Sequence, residues 1–301
     1  MDMQTNAGMD LLTTAEAAEY LRMGERKLYE LVSAGGIPCT KVSGKWLFPR
    51  AHLDRWLLAG LAQPPGFVPA SPPPIVGGSH DPLLQWALAE SRAGLAMLPE
   101  GSETGYQRFL KGELIAAAIH FHNLDEPTAD ANVAICAREP ALYDSVLINF
   151  AARQQGLVVA KGNPAGISSV RDAADKGLRL VTRPKGAGAQ QLLDALMKAQ
   201  GLSARQWPST ITAPTGPDVG QAIRAGVADI GIATQSVAQA ADLGFVPLVT
   251  EHFDLLIRQR DSYRAPMQTF LSLLHSTAFA TRAAELGGLD VSAAGQVRWA
   301  P

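Results

Sequence analysis

The amino-acid sequence predicts an α/β protein made of two parts, a small N-terminal unit and a larger C-terminal one. In the first 60 residues, apolar side chains recur with helical spacing and then change to alternation. A proline-rich segment follows, and so many prolines cannot be part of a helix or of a strand ladder. Beyond it, short apolar runs alternate with helix-like stretches, a pattern typical of strands connected by helices.

Composition limits the classes of protein that remain. The chain has 301 residues, enough for two or more folding units, and a net charge of −2, which argues against a general coat for nucleic acid or membrane surfaces. Cys39 and Cys136 are far apart and form neither a disulfide framework nor a zinc spacing. No run of about twenty apolar residues and no secretion signal is present, so we expect a soluble, cytoplasmic protein without a membrane partner.

Two helices are predicted at the start of the first unit. Thr13 or Thr14 is suited to cap the first helix, and the residue three positions later is Glu16 or Ala17, the spacing of a capping box. A second amphipathic helix is expected over residues 25–34.

After these helices the apolar period changes to two. Two short strands around Ser43-Gly44 are predicted to form a hairpin, because glycine supplies the positive φ that tight hairpin turns need. Pro49 ends the second strand, and a third helix is expected over residues 50–58. Two helices, a hairpin wing and a closing helix form a winged helix-turn-helix. Such a unit is too small for a catalytic cleft but suits a DNA major groove.

The motifs of this unit resemble the excisionase/MerR-type helix-turn-helix family. The matching segments are LTTAEAAEYL (12–21), KLY (27–29), GIP (36–38), GKWLF (44–48) and LDRWL (53–57). The resemblance implies a DNA-binding domain over residues 10–60. It places Arg26, Lys27 and Tyr29 at or near base edges and phosphates, and Lys41, Lys45 and Arg50 on phosphates.

Charge adds a condition to the DNA-binding interpretation. Residues 1–60 contain seven lysines and arginines and seven acidic residues, so the unit is nearly neutral. One copy should therefore attract DNA weakly, and we expect a homodimer or a higher homo-oligomer on double-stranded DNA. A small protein-interaction module is the alternative.

Residues 61–74 are predicted to be a proline-rich linker, and residues 75–301 a second domain. In this domain strands are expected at 75–76, 94–97, 116–121, 133–135, 157–160, 179–182, 230–233 and 245–249, and helices at 188–200 and 218–225. This alternation predicts parallel α/β units.

Three strand-to-helix turns of this domain combine glycine with polar residues, at 77–82, 101–105 and 182–188. Exposed N–H groups at helix N-termini bind anions, and glycine lets a ligand approach the backbone closely. Serine hydroxyls and Arg183 add further donors. The three turns therefore predict a pocket for an anion.

The second domain resembles the type-2 periplasmic-binding-protein superfamily, in particular the cytoplasmic branch that is fused to helix-turn-helix domains or occurs in some molybdopterin-biosynthesis proteins. The matching segments are GGSHDP (77–82), GS (101–102), AIH (118–120), QGLVVAKGNP (155–164), AGVADIGI (225–232) and EHFDL (251–255). The resemblance implies two lobes that close on a ligand, lobe I over about 75–155 and 246–301 and lobe II over about 156–245. It also implies an oxyanion such as molybdate or tungstate.

The candidate ligand-binding residues are Ser79, His80, Asp81, Gly101, Ser102, His120, His122, Arg183, Gly186 and Gly188. One segment departs from the family pattern, which usually carries hydroxyl residues where this chain has Ala187 and Ala189. Each lost hydrogen bond to a charged ligand costs about 1.5–3 kcal/mol. Either backbone N–H groups suffice here, or the ligand is different, for example a larger organic anion.

Two further patterns bear on chemistry. His120 and His122 lie two apart on a predicted strand and share one face, so they could line a pocket or hold a metal. No third ligand is evident from the sequence, and we predict neither a metal site nor a cofactor. His80-Asp81 could be a base with its orienting group, but no nucleophile in a matching context accompanies it, so an enzyme is not predicted.

These observations together predict a one-component transcriptional regulator with a small anion as its effector. An enzyme or a ligand-binding adaptor in molybdenum cofactor metabolism is the alternative.

Overall fold

The structure, a computed structural model, describes residues 10–60, 71–122 and 130–301. The chain divides into two compact units, residues 1–69 with 137–143 and residues 70–136 with 144–301. Of the predicted linker, residues 61–70 lie outside the described residues.

The small unit follows the predicted order of elements, with one additional strand at its start. Its elements are β1 (Leu11–Thr13), α1 (Thr14–Tyr20), α2 (Glu25–Ser33), β2 (Thr40–Val42), β3 (Lys45–Pro49) and α3 (Arg50–Ala59). Thr13 is the N-cap of α1 and forms the capping box with Glu16, whose carboxylate accepts the Thr13 N–H at 2.8 Å. Ser43 and Gly44 turn the hairpin with φ values of 49° and 81°.

A three-stranded sheet in the order β1-β3-β2 holds this unit together among the described residues. The sequence did not predict β1, because its three residues lead directly into the capped helix. The three helices and the wing share one apolar core, in which Ala17, Leu28, Phe48 and Leu53 are fully buried. The wing is therefore packed against the helices through Phe48.

The large unit contains helices and strands in alternation. Its elements are β4 (Ile75–Gly78), α4 (Pro82–Glu90), β5 (Ala96–Pro99), α5 (Ser102–Leu110), β6 (Ala116–Ile119), α6 (Ala131–Arg138), β7 (Ser145–Val159), α7 (Val170–Asp175), β8 (Leu180–Thr182), α8 (Gly188–Ala199), β9 (Ser209–Thr212), α9 (Gly216–Arg224), β10 (Ile230–Thr234), α10 (Gln235–Ala240), β11 (Gly244–Arg258), α11 (Gln259–Ser262), α12 (Ala265–Leu273), α13 (Thr277–Leu286), β12 (Leu289–Asp290) and β13 (Val297–Trp299). The 3₁₀ turn Pro140–Leu142, between α6 and β7, belongs to the small unit.

The sheet is mixed rather than built only of parallel units. Over the described residues its order is β5-β4-β6-β11-β7-β10-β8-β9, and β12 and β13 also pair with β7. The outer strand pairs are parallel, namely β4 with β5 and β6, and β8 with β9 and β10. The central strands β7 and β11 are antiparallel to each other along almost their whole length. The strand predicted at 133–135 is wrong, because these residues lie in α6.

Two hydrophobic regions flank the central strands. The first core contains Phe150 and Phe253 of the central strands together with residues of α4, α12 and α13. The second core surrounds the other half of β7, where Leu157 and Val159 point to one face and Val158 points to the opposite face. Both faces of that half are therefore covered by helices, which explains why residues 157–159 read as a continuous apolar run.

Gly105 sets how closely α5 packs against β4. A Cβ atom at this position would lie 2.3 Å from Gly78 Cα and 2.6 Å from Gly78 N, and neither backbone atom can turn away. We expect Gly105→Ala to lower the free energy of unfolding by about 1–3 kcal/mol, because the helix must shift to accept the methyl group. Urea denaturation followed by circular dichroism measures this effect.

Gly94→Asn is the control for this substitution. Gly94 has a φ of +71° with no atom within 4 Å of a built Cβ, and asparagine tolerates that backbone conformation. An unchanged unfolding midpoint for Gly105→Ala would show that α5 does not pack this closely.

Candidate functional site

A cleft lies between the first and the second core of the large unit. Its cavity volume is about 20 Å³. Its walls consist of Ser79, His80, Pro82, His120, Arg153, Gln155, Arg183, Ala189, Gly216, Ala233, Thr234 and Val237. This space is far smaller than the roughly 300–1,000 Å³ of pockets for drug-sized molecules, so it suits only a small ligand of a few heavy atoms.

Four of the residues predicted to bind ligand line this cleft. Ser79 and His80 follow β4, and His120 follows β6, so the ends of two neighbouring parallel strands bring them together. Arg183 follows β8 and approaches from the side of the second core. Ligands of open α/β sheets bind at these strand ends.

Other predicted residues lie behind the wall of the cleft. Asp81 caps α4, accepting the N–H groups of Leu83 at 2.8 Å and Leu84 at 3.2 Å. Ser102 is fully buried and bonds to the backbone of His120. Gly188 touches the same residue, since a Cβ on it would lie 2.0 Å from the His120 carbonyl oxygen. Ser102 and Gly188 therefore contact His120, and none of the three residues lines the cleft.

Gly101 and Gly186 meet at the edge of the cleft. A Cβ on Gly101 would lie 3.5 Å from Ala187 Cα, and the Glu103 N–H donates to the Gly186 carbonyl oxygen at 3.3 Å. The loops preceding α5 and α8 therefore touch each other.

A buried ion-pair cluster forms the floor of the cleft on the side of the first core. Arg153 donates from Nε to Glu251 Oε1 at 2.6 Å and from Nη1 to Asp81 Oδ2 at 2.8 Å. All three side chains are at least 95% buried. Sequence reasoning missed Arg153 and the ion-pair role of Glu251. Their signal was the presence of charged residues inside two long strands that are mainly apolar.

Glu251 accepts hydrogen bonds from four side chains. Besides Arg153, His122 Nε2 lies 2.7 Å and His120 Nδ1 3.2 Å from Oε2, and Gln155 Nε2 lies 3.4 Å from Oε1. Burial acts to raise the pKa of Glu251, but the electrostatic interaction with His120, the charge of Arg153 and the hydrogen bonds from both histidines outweigh it and hold that pKa well below its ordinary value. Glu251 is therefore an ionised carboxylate that only accepts hydrogen bonds.

Burial and this carboxylate together determine how many protons the His120 ring carries and where the proton lies. Burial lowers the pKa of His120 to about 4, so its ring is neutral at neutral pH. The proton is on Nδ1, which donates to Glu251, and Nε2 accepts the Ser79 hydroxyl proton at 2.8 Å. Ser79 therefore presents only oxygen lone pairs to the cleft.

Arg183 supplies a positive charge opposite this cluster. Its Nε donates to the Ala213 carbonyl oxygen at 3.0 Å and its Nη2 to that of Pro214 at 2.8 Å. No carboxylate in the described part of the chain pairs with it. Burial lowers the pKa of Arg183 to about 10, so the guanidinium stays charged at neutral pH.

The N-terminus of α8 adds to the positive potential. Its N-cap residue, Ala187, makes no side-chain cap, so the first N–H groups of this twelve-residue helix are not satisfied by a side chain, and Ala189 lines the cleft. Helix N-termini carry a partial positive charge. The side of the second core therefore favours a negatively charged ligand.

The residues predicted to contact DNA are on the surface of the small unit. Tyr29, on α2, is 47% exposed, and its neighbours Arg26 and Lys27 approach Glu30 at 3.6 Å and 3.1 Å. On the wing, the Lys41 ammonium lies 5.2 Å from the Trp46 ring centre and Lys45 is exposed. Arg50 is at the start of α3, 3.6 Å from Asp10.

The fold and the cleft define a ligand-binding protein that carries a helix-turn-helix domain. In agreement with this, residues 11–60 match the helix-turn-helix domain family, and residues 85–275, more than half of the chain, match the PBP superfamily domain. The chain belongs to the PBP superfamily. This combination of domains fits a DNA-binding regulator that senses a ligand.

Two known proteins illustrate the extent of the similarity. The chain is 22% identical to "Uncharacterized protein YvgK" of Bacillus subtilis (strain 168) over 301 residues, which cover 95% of this chain and 96% of that one. A putative phosphate ABC transporter substrate-binding protein with bound phosphate from Clostridium perfringens shares the fold, with a TM-score of 0.52, 14% identity, and coverage of 71% of this chain and 97% of that one. Among the described residues, no helix has the length and apolar character needed to cross a membrane.

Proposed function

We propose that this protein is a one-component transcriptional regulator of the cytoplasm. Residues 10–60 bind DNA as an excisionase/MerR-type domain, residues 61–74 link it to the sensor, and residues 75–301 bind a small anion. The sensor has lobe I over about 75–155 and 246–301 and lobe II over about 156–245. The observation that carries the proposal is Arg183, a charged guanidinium in the cleft that has no carboxylate partner among the residues the structure describes.

The charges of the cleft support an anion as the ligand. Arg183 and the uncapped N-terminus of α8 attract it from one side, while Asp81 and Glu251 are occupied by Arg153. The phosphate held by the Clostridium perfringens protein of the same fold supports a small oxyanion. Molybdate and tungstate stay our first candidates, and an organic acid is the alternative that Ala187 and Ala189 leave open.

The regulator acts as a homodimer or a higher homo-oligomer in this proposal. Ligand binding closes the two lobes and changes the spacing or orientation of the paired DNA-binding domains on double-stranded DNA. For the ligand to close the lobes, it must bind the closed state more tightly than the open state. A ligand with equal affinity for both states would leave the equilibrium between them unchanged.

A thermal-shift screen against molybdate, tungstate, sulfate, phosphate and small organic acids, followed by DNase footprinting with the hits, tests this function. A ligand at a hundred times its dissociation constant should stabilise the protein by about 2.7 kcal/mol. A stabilising anion that also changes a footprint supports the proposal. An anion that binds while the intact oligomer protects no DNA favours an adaptor, and no stabilisation by any anion contradicts the sensor.

Lys27→Ala should weaken DNA binding about equally for all DNA sequences, because a phosphate contact carries no sequence information. The slope of the logarithm of the binding constant against the logarithm of the salt concentration should become smaller by about one, as expected for the loss of one phosphate contact. Lys27 is exposed on α2, and its side chain must leave Glu30 to reach a phosphate. Fluorescence anisotropy over a salt series measures both quantities. Lys111→Ala, an exposed lysine of the large unit, is the control, and equal salt slopes for all three proteins would place the DNA surface elsewhere.

One arrangement favours an enzyme as the second candidate. Ser79, His120 and Glu251 stand in the order of nucleophile, base and orienting carboxylate, at 2.8 Å and 3.2 Å. A fluorophosphonate probe tests it, since an active serine forms a stable adduct that intact mass spectrometry detects. Labelling that is lost in Ser79→Ala but kept in Ser102→Ala would support a hydrolase, and an unlabelled wild-type protein would exclude it.

A further inference from the structure

We propose that His120, His122 and Glu251 bind a divalent first-row transition-metal ion, and that this ion turns the Ser79 hydroxyl into a hydrogen-bond donor toward the cleft. The first half concerns a metal site independent of the regulator function. The second half rests on the proposed anion-binding function.

The three ligand atoms already converge. One nitrogen of each histidine and a carboxylate oxygen of Glu251 lie within 4.8 Å of one another. Oε2 of Glu251 is 2.7 Å from His122 Nε2 and 3.2 Å from His120 Nδ1. Ligands about 2.0–2.2 Å from a tetrahedral zinc ion lie roughly 3.3 Å apart. An ion therefore fits among these atoms after movements of a fraction of an ångström to about one ångström.

The remaining polar atoms of two of these ligands are fixed by neighbours. His120 Nε2 bonds to Ser79 Oγ at 2.8 Å, and Glu251 Oε1 receives Arg153 Nε at 2.6 Å. Bound metals show this pattern, in which the second nitrogen of a histidine and the second oxygen of a carboxylate are hydrogen-bonded and set the orientation of the ligand. The site is therefore preorganised.

Charge supports a cation at this place. Two carboxylates, those of Asp81 and Glu251, face a single guanidinium, that of Arg153, so the buried cluster has a formal charge of −1. A buried net charge is unfavourable. A divalent cation changes the charge of the cluster to +1 and makes the floor of the cleft attractive to an anion.

The donor set selects the class of metal. Two imidazoles and one carboxylate suit zinc, iron, nickel or copper, whereas calcium and magnesium prefer oxygen ligands only. Sequence analysis found the two histidines but not Glu251, which follows His122 by 129 positions.

The ion reverses the hydrogen bond between His120 and Ser79. Without metal, the His120 proton is on Nδ1, and Ser79 donates to Nε2. A metal ion takes the Nδ1 lone pair, so the ring stays neutral with its proton on Nε2, which donates to Ser79 Oγ. The hydroxyl proton is then free to point into the cleft. A fully deprotonated anion meets a donor in the metal-bound protein and a lone pair in the metal-free protein.

The experiment starts with the tag-free, full-length protein, stripped with a chelator and titrated with Co²⁺ and then Zn²⁺. We expect one Co²⁺ per chain with visible d–d absorption, displaced by Zn²⁺. His122→Asn should weaken Co²⁺ binding at least about tenfold, since one of three protein ligands is lost. His52→Asn, an exposed histidine of α3, should bind Co²⁺ like the wild type.

Two readouts separate the metal site from its coupling to the anion. Imidazole ¹⁵N NMR should show the His120 proton moving from Nδ1 to Nε2 on Zn²⁺ addition. Calorimetry with molybdate or sulfate should show at least about tenfold tighter binding to the Zn²⁺ form, and this gain should be smaller in Ser79→Ala, which keeps the charge of the metal but lacks the hydroxyl donor.

Each result has a distinct meaning. A folded wild-type protein that binds neither ion overturns the metal site and leaves a hydrogen-bond network around Glu251. Metal binding without a change in anion affinity overturns the coupling alone. Metal binding with no anion bound in either form confirms the metal site and contradicts the proposed function.

Discussion

Replacing Arg153 with methionine should lower the free energy of unfolding by about 3–5 kcal/mol, the usual cost of removing one partner from a buried ion pair. The guanidinium is 2% exposed and is shared by Asp81 and Glu251, which would face each other across an apolar side chain. Its stacking at 4.0 Å on the Phe253 ring would be lost as well. Urea denaturation of the purified variant measures the loss.

Arg179→Met is the matched control, because Arg179 also pairs with a carboxylate, Asp229, but about half of its side chain is exposed. Exposed pairs contribute about 0–1 kcal/mol. Equal destabilisation by the two substitutions would show that the buried cluster does not stabilise the large unit.

Arg183→Ala should weaken anion binding about 10- to 100-fold with little loss of stability. A hydrogen bond to a charged group contributes about 1.5–3 kcal/mol, and each 1.4 kcal/mol corresponds to a factor of ten in affinity. Within the described ranges, the Arg183 guanidinium bonds to the carbonyl oxygens of Ala213 and Pro214 at 3.0 Å and 2.8 Å and to no carboxylate there, so its removal strands none of these carboxylates. Isothermal titration calorimetry with the anion identified by thermal shift measures the change.

Arg183→Lys separates charge from geometry. Lysine keeps the charge but not the planar fork, so we expect an affinity between those of the wild type and Arg183→Ala. Arg179→Ala, outside the cleft, should bind the anion normally. An Arg183→Ala protein with wild-type affinity would contradict an anion site at this position.

Local patterns in the sequence predicted the small unit well. Thr13 and Glu16 are three residues apart, and Ser43-Gly44 lies between two short alternating runs, so each signal and the structure it produces occupy the same short segment. Residues 133–135 show the limit of such signals. Three apolar residues in a row fit a buried strand or a buried helix equally well, and packing makes them part of α6.

The sequence predicted residues of the cleft only where they follow the end of a strand. Ser79, His120 and Arg183 follow strands and could be recognised from glycine and polar residues at the turns. Arg153 and Glu251 lie 98 positions apart and meet because β7 and β11 pair in a register that places them opposite each other. Register over that separation depends on the assembled sheet and on the two register shifts between β7 and β11, which no local pattern encodes.

The continuity of the two central strands determines how the sensor can move. β7 and β11 each pass through both cores as one strand of 15 residues, hydrogen-bonded to each other, with register shifts at Pro247/Val249 and Phe253/Asp254. A paired ribbon cannot swing about a single bond, so opening the cleft must distribute a small twist over the segment between the two bulges. Glu251 lies in that segment and Arg153 is its partner there. We therefore expect torsional stiffness to limit the amplitude of opening, and the stiffest part of the ribbon to coincide with the charge cluster beneath the ligand.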